Sequence, residues 1–412
     1  MPDVSFTNLL IICAVAVAAP MLVGLLPWLR IPAVVLEIVT GIILGPSVLG
    51  WLHVDLPVQI LALFGLAFLL FLAGLEIDTR RLRGRVLLLA GAGYLITLVL
   101  GSAAGFGFHA VGWVGQPLLL AIALSATSLG LVVPVLKDAG SVEGAVGQTA
   151  IAAASVADFA AIVLLSLFFS TSGGTTGAKV VFLVAFAAVV AATGLTVAAA
   201  GRSRRLGDVL IRLQDTTAEI RVRFAVVLLI AFTALAERFG LESILGAFLA
   251  GAVVGMVDRD ATSHPNFRTK LEAIGFGFLV PVFFVASGVR LDLRDLLSHP
   301  AALARVPLFL IALLVVRGVP ALLSLRTAGP RATAAVGLLQ ATSLPFIVTA
   351  TQIGLELGQI SAVTAAALVC AGLLSVLLFP PLALALLRDD PSGRAPREPD
   401  ALERQAPAQP RP

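Results

Sequence analysis

The sequence predicts an all-α polytopic membrane protein of about thirteen transmembrane helices, built as two inverted six-helix repeats with discontinuous helices. Three observations carry that prediction. Of the 412 residues, 59% are apolar and only 13% are charged, against about 25% charged in a soluble domain; mean hydropathy is +1.03. Apolar runs long enough to cross a bilayer, about 17–25 residues, follow one another along nearly the whole chain. Short motifs of the first half return in the second at nearly the same offset, 215 and 214 residues. A soluble enzyme on a single anchor is excluded by this composition, and no stretch has the makeup of a second, soluble domain.

The runs, in order, are 6–28, 31–50, 56–76, 86–110, 116–136, 146–170, 178–200, 221–239, 241–257, 270–289, 300–324, 331–354 and 359–386. The first follows MPDVSFTNLL, which lacks the basic n-region of a signal peptide, so it is expected to be a retained helix although Ala16 to Pro20 could pass for a cleavage site. Orientation follows from Lys and Arg in the loops. Counted alternately, one side holds twenty-two, including Arg80, Arg81, Arg83 and Arg85, and the other holds Lys179, Arg238, Arg290 and Arg294. That bias places the N-terminus outside and the C-terminus in the cytoplasm, in the cell inner (plasma) membrane. It also supports an odd number of crossings. From Arg388 the composition turns to Pro, Arg, Glu and Asp, so 388–412 is expected to be a disordered cytoplasmic tail.

The repeats appear in two echoes. Ala126-Thr127-Ser128-Leu129 in the fifth run returns as Ala341-Thr342-Ser343-Leu344 in the twelfth. Phe71-Leu72-Ala73-Gly74, followed by Asp78, is echoed by Val285-Ala286-Ser287-Gly288, followed by Asp292. Each pair is seven runs apart, and an odd separation inverts orientation. The shared offset makes the echoes informative, and it leaves the seventh run, 178–200, as a linker. Inverted repeats are a signature of secondary transporters, with the ion site near the midplane at the repeat interface.

The stretch Gly147–Phe169 holds one charge, Asp158, near its middle. A carboxylate at that depth costs about 2.5–3.5 kcal/mol on insertion scales and marks an ion or proton site by default. Runs five and twelve each place Thr-Ser beside a helix breaker: Thr127 and Ser128 with Gly130 and Pro134, and Thr342 and Ser343 with Pro345. Pro removes a backbone donor and Gly weakens the helix, so both runs are expected to be broken, with freed carbonyls and half-helix dipoles available to ions. Arg317 lies deep in the eleventh run, where it needs a carboxylate or such carbonyls as a partner, unless it snorkels; Arg305, nearer the outer end, is expected to snorkel. Glu37 is a second buried carboxylate, which could line a cavity or pair with a helix terminus near Gly45-Pro46. Glu76 and Asp78 read as solvated ion-pair partners of the Arg80–Arg85 cluster, and Glu237 and Glu242, which flank a short outer turn, either attract cations or form an exposed face.

Cys13 and Cys370 fall in apolar runs and read as packing residues, and the four histidines are scattered. No P-loop, nucleophile elbow, His-Glu-x-x-His or paired intramembrane aspartates occur. Neither an enzyme, a cofactor nor a nucleic-acid partner is expected.

Seven segments together resemble a known family. They are LEIVTGIILGPSVLGW (36–51), LAFLLFLAGLEID (66–78), SATSLGLVVPVLKDAG (125–140), AAASVADFAAIVLLSLF (152–168), FGLESILGAFLAGAVV (239–254), PVFFVASGVRLDL (281–293) and VVRGVPALL (315–323). In this order they are similar to the monovalent cation:proton antiporter-2 family, the bacterial sodium/proton exchangers and Kef-type transporters with the NhaA-like fold. The resemblance implies a core domain with two crossed, broken helices (86–170 and 300–386), a dimerisation domain (6–76 and 221–289) and a homodimer. Asp158 then matches the essential ion-binding aspartate, Thr127 the polar residue of the first crossing helix, and Arg317 the basic residue of the eleventh helix. One departure stands out: relatives carry Asp, Asn or Gln before the aspartate, and here the residue is Ala157. Arg317 therefore lacks that partner, leaving it to pair with Asp158 or to balance the dipoles of the crossed helices.

The expected chemistry is competition. One carboxylate can hold a proton or a monovalent cation, sodium or potassium, but not both, so alternating exposure of Asp158 couples the two in opposite directions. Ser155, one turn earlier on the same face, Thr127 and the carbonyls near Ser128 are further candidate oxygen ligands. The alternatives are a cation channel or uniporter, and a membrane sensor or organic-solute transporter, on the same scaffold.

Overall fold

The structure, a computed structural model, describes residues 6–25, 32–77, 84–138, 144–169, 176–200, 219–257, 266–291, 293–298 and 300–388. The expected tail beyond Arg388, and Asp78, Arg80, Arg81, Arg83 and Asp292, lie outside them. Among the described residues all regular structure is helical. The elements are α1 (Thr7–Leu25), α2 (Ala33–Leu44), α3 (Leu56–Leu75), α4 (Gly84–Ala110), α5 (Pro117–Ser125), α6 (Leu129–Asp138), α7 (Ala145–Phe169) and α8 (Thr176–Ala200). There follow α9 (Ile220–Arg238), α10 (Ser243–Val257), α11 (Phe267–Ile274), α12 (Val280–Val289), α13 (Arg305–Gly318), α14 (Pro330–Gln340), α15 (Pro345–Glu356) and α16 (Ala362–Arg388). Nine stretches among the described residues are long and apolar enough to cross a membrane.

Local chemistry sets several of the ends. Asp55 caps α3 by accepting the Val58 N–H at 3.1 Å, with Pro57 inside the first turn. Gly329, at φ +79°, turns the chain into α14, whose first residue is Pro330. Between α11 and α12 the helix widens to a π turn at Gly275–Leu279, just before Pro281. The wider turn accommodates a residue that has no N–H to give the preceding turn.

The helices fall into two packing groups. One holds α1–α3 and α9–α12; the other holds α4–α7 and α13–α16; α8 lies against α10 and α7. The first group is locked by glycines at backbone contact. A Cβ on Gly74 of α3 would collide with the Phe248 carbonyl of α10, and one on Gly251 of α10 with the Phe71 carbonyl of α3. Likewise a Cβ on Gly41 of α2 would meet the Val285 carbonyl of α12, and one on Gly288 of α12 the Ile38 carbonyl of α2. Small residues are how apolar helices approach closely in lipid, where no hydrophobic force separates helix from solvent. Gly74 and Gly288 are the pair that the sequence repeat equates. Each packs on a helix from the other half of the chain, the exchange that two inverted repeats produce.

In the second group Arg305 is anchored at its end of α13. Its guanidinium lies 5.2 Å from the Trp113 ring centroid, and Nη1 donates to Thr364 Oγ1 at 3.0 Å.

Candidate functional site

Two helices of the second group are interrupted, and the interruptions touch. The chain leaves α5 at Ser125 and re-enters helix at Leu129; it leaves α14 at Gln340 and re-enters at Pro345. The Ser128 N–H donates to the Thr342 carbonyl at 3.0 Å, joining one break to the other. Asp158 of α7 supplies the remaining acceptors of the first break. Its Oδ1 accepts the Thr127 N–H at 3.0 Å and its Oδ2 accepts the Leu129 N–H at 3.3 Å. Leu129 is the first residue of α6, so the carboxylate also sits at the positive end of that half-helix. On the second break, Ser343 N–H donates to Ser375 Oγ at 3.2 Å.

This corrects the expected position of the first break. Gly130 and Pro134 were the predicted breakers, but both lie inside α6. The interruption is Ala126–Ser128, where tertiary acceptors, not a local breaker, replace the helical hydrogen bonds. Pro134 acts further along by leaving the Gly130 carbonyl without its intrahelical donor. In the second break Thr342 and Ser343 do lie in the interruption, and Pro345 opens α15, where its missing N–H is not needed.

Arg317, 2% exposed, is positioned by α13 against both breaks. Its Nε donates to Thr127 Oγ1 at 2.8 Å and lies 3.4 Å from the Gln340 carbonyl; Nη2 also donates to Thr127 Oγ1, and Nη1 reaches Thr97 Oγ1 at 3.3 Å. Among the described residues no carboxylate lies within ion-pair distance of it. Of the two roles left open by Ala157, the geometry is that of the second: a cation at the C-terminal end of α14, where carbonyls are unsatisfied. Thr127 Oγ1 meanwhile donates to the Gln340 carbonyl at 2.7 Å. Its proton and both lone pairs are thus committed within the protein.

A cavity of about 60 Å³ lies between the two packing groups. Its walls include Asp158, Thr127, Ser128, Gly130 and Pro345 from the second group and Ala73, Glu76, Phe276 and Phe284 from the first. The structure therefore brings Asp158, Thr127 and Ser128 together at one cavity. Ser155 is buried one turn away, donates to its own helix at Ile151 O, 2.9 Å, and does not line the cavity. Glu37 is buried on α2, one turn beyond the cavity residue Val34 and outside the lining itself. The Ser343 hydroxyl is buried without a hydrogen-bond partner.

The profile of the family described as "Sodium/hydrogen exchanger, transmembrane" matches residues 14–385, nearly the whole described chain. The chain belongs to this sodium/hydrogen exchanger family. It is similar to the "Putative Na(+)/H(+) antiporter YjbQ" of Bacillus subtilis, 31% identical over 395 residues, covering 92% of this chain and 63% of that protein. It is also 31% identical over 334 residues to the Na(+)/H(+) antiporter NhaS5 of Synechocystis, covering 78% of this chain and 45% of the relative. The chain thus spans less than two thirds of the length of these two relatives. Among solved structures, that of the sodium proton antiporter MjNhaP1 from Methanocaldococcus jannaschii at pH 8 matches with a TM-score of 0.65. That match has 19% identity and covers 92% of this chain and 98% of the other, so it speaks to the fold.

For this exchanger-family chain, the sequence reading underrated one residue. Glu76 was expected to be a solvated ion-pair partner; it lines the cavity, and its Oε2 is buried without a hydrogen-bond partner. The signal available was its place one residue past the end of an apolar helix, within the motif LAFLLFLAGLEID. Thr97, Gln340 and Ser375, the remaining partners of the crossing, carried no separable signal in the sequence.

Proposed function

We propose that this protein is a secondary active antiporter that exchanges a monovalent cation, sodium or potassium, for protons by alternating access. The observation that carries the reading is Asp158. Its carboxylate is held by two backbone N–H groups at the crossing of two broken helices and faces a cavity between two separately packed groups. Two N–H donors and a helix N-terminus offset its negative charge, and its remaining lone pairs can take a proton or a cation. Membership of the sodium/hydrogen exchanger family supports the same reading.

The stoichiometry follows from the charge count. With Ala157 beside it, Asp158 is the one carboxylate at the crossing, and Arg317 keeps its charge throughout. A site loaded with one proton and a site loaded with one monovalent cation carry the same net charge. Exchange is one for one and electrically silent. The second packing group is the moving core, the first is the dimerisation part of a homodimer, and α8 links them. Thirteen crossings follow if α2, 117–138, α9 and α10 also span the bilayer, with the N-terminus outside and the C-terminus in the cytoplasm of the inner membrane.

Proton movement in proteoliposomes with an internal pH dye tests this, with sodium, potassium and lithium added in turn. A pH change driven by one cation, lost in Asp158→Asn and accompanied by no transport current on a solid-supported membrane, is the expected result. Asn keeps one acceptor oxygen for the break, so the variant loses about 1–3 kcal/mol of stability and remains folded. A fully active Asp158→Asn protein would remove the central claim, and a current that scales with transport would overturn the stoichiometry.

A further inference from the structure

We propose that a second cavity, on the far face of α7 from Asp158, is a binding site for a small monovalent anion of the chloride class, held by Arg317 and Gln340. The cavity measures about 70 Å³. Its walls include Tyr94 of α4, Thr149 and Ala153 of α7, Ser324 of the 3-10 turn Val319–Ser324 that continues α13, and Arg317 and Gln340 themselves. Thr149 precedes Asp158 by nine residues, about two and a half helical turns, so the two side chains leave α7 in opposite directions. The cavity with Asp158 is shared between the packing groups, whereas this one is lined by the second group alone.

The donors on its wall outnumber the acceptors that the protein supplies. A guanidinium carries five N–H bonds. Arg317 commits its Nε and one N–H of each Nη to Thr127, Thr97 and the Gln340 carbonyl. The second N–H on each Nη has no acceptor among the described residues. The Gln340 side-chain amide likewise makes no hydrogen bond among them, although the residue is only 4% exposed. An amide with two N–H groups and a guanidinium with two to spare thus line one cavity. Tyr94 is not a further donor. Ser125 Oγ gives its proton to the Ile122 carbonyl at 2.9 Å, so the Tyr94 hydroxyl donates in its 3.1 Å bond to Ser125. Buried polar groups normally find partners, and a buried charge with unmet hydrogen bonds is costly.

Charge selects the sign of the occupant. Arg317 is the only ionic side chain among the described residues that line this cavity, and it cannot lose its proton. Across α7, the ionic residues of the other cavity are Asp158 and Glu76. Space that attracts anions and space that attracts cations therefore lie on opposite faces of one helix. Size selects the class. One water needs about 10–15 Å³ by the same measure, so the cavity takes a halide-sized ion with a few waters and excludes an organic anion such as gluconate. A divalent oxyanion would bury one charge more than Arg317 offsets.

The ionic count at the crossing gives the anion a role, and that role rests on the antiport reading. When a proton or a cation neutralises Asp158, Arg317 leaves one positive charge in excess. An anion lodged on Arg317 removes the excess, and it moves with the site because all its walls belong to the same group.

The test is the thermal midpoint of the purified full chain at constant sodium, as gluconate is replaced by chloride or bromide. Wild type is expected to gain about 2–4 °C, saturating with halide. Gln340→Leu removes two donors and weakens the halide response about tenfold or more in concentration. Gln340→Glu supplies the negative charge from the chain, so its midpoint no longer responds to halide. A general salt effect would shift wild type and Gln340→Glu alike. Absence of a saturable shift in wild type, or an equal shift in Gln340→Glu, overturns the proposal. If the Gln340 variants do not fold, Gly93→Val decides. A Cβ on Gly93 meets Pro320 Cβ at 3.6 Å, an ordinary contact, and a larger side chain there narrows the cavity. Loss of the halide shift is expected, and a full shift overturns the proposal. These readouts involve no transport, so their failure leaves the antiport reading standing, and absence of exchange in wild type would refute that reading alone.

Discussion

The link from Arg317 to Thr127 makes a prediction with an unusual sign. Thr127→Val removes the hydroxyl while keeping the shape. It strips Nε and Nη2 of Arg317 of their shared acceptor and leaves the guanidinium only the 3.3 Å bond of Nη1 to Thr97 Oγ1 and the 3.4 Å contact of Nε to the Gln340 carbonyl. Hydrogen bonds to charged groups contribute about 1.5–3 kcal/mol each, and a buried charge left without acceptors costs more than a neutral group does. The two bonds share one oxygen and do not add fully, so we expect Thr127→Val to cost about 3 kcal/mol. Arg317→Met removes the charge with its demand for acceptors. The Thr127 hydroxyl keeps its 2.7 Å bond to Gln340, so the cost is about 1–3 kcal/mol. Once the charge is gone, losing the hydroxyl matters little. The double variant should therefore be about 2–3 kcal/mol more stable than the sum of the singles implies. Equilibrium unfolding in mixed micelles of increasing dodecyl sulfate content measures all three. Additivity within about 0.5 kcal/mol would refute the assignment of Arg317 as the pin between the two breaks.

Two further outcomes follow from packing. Gly251→Val places a branched side chain on the Phe71 carbonyl, where even a Cβ collides, so α3 and α10 must separate and monodisperse protein on size exclusion should be lost; wild-type elution with an unchanged thermal midpoint would show that the two helices do not touch there. Replacing Ser287 and Gln352 by Ala removes one hydrogen bond between the packing groups, worth about 0.5–1.5 kcal/mol. That shifts the balance between the two access states about two- to tenfold, read as a change in spin-label distances between α3 and α15, and an unaltered distance distribution would count against the bond as a latch.

How much of this was legible depended on whether the signal was local. Asp158 could be read from the sequence because a single charge in an apolar run has a cost that demands a reason. The repeat was legible because Ala-Thr-Ser and Gly74/Gly288 recur at nearly the same offset, 215 and 214 residues, and both turn out to be contact points: a break against a break, and a glycine against a carbonyl. The position of the first break was not legible. Gly130 and Pro134 are the residues that weaken a helix intrinsically, yet the interruption is set by acceptors from α7 and from the second break, 31 and 214 residues from the residues they bond. Glu76 was misread for the opposite reason. Its neighbours in sequence are charged, which suggests solvent; in space one oxygen has Arg268 at 3.9 Å and the other is buried beside the cavity without a hydrogen-bond partner. Thr97 and Ser375 resemble every other hydroxyl in an apolar helix until the fold places them.

The distribution of bond types across the molecule bears on how Asp158 could be exposed to the other side. Within the first packing group, α2, α3, α10 and α12 meet backbone on backbone through glycines. Such contacts have no alternative arrangement, because any slip drives a carbonyl into a Cα. Between the groups, the bonds of the Glu242 N–H to Ser166 Oγ at 2.9 Å and of Gln352 Nε2 to Ser287 Oγ at 3.2 Å are single and polar, and their partners can find water when they part. The crossing itself lies wholly within the second group: Asp158 is bonded to Thr127 and Leu129, Thr127 to Arg317 and Gln340, and Ser128 to Thr342. A displacement of that group against the first would break the outer bonds without disturbing any hydrogen bond that holds the carboxylate. In such a displacement the site would travel intact, and only what its free lone pairs face would change.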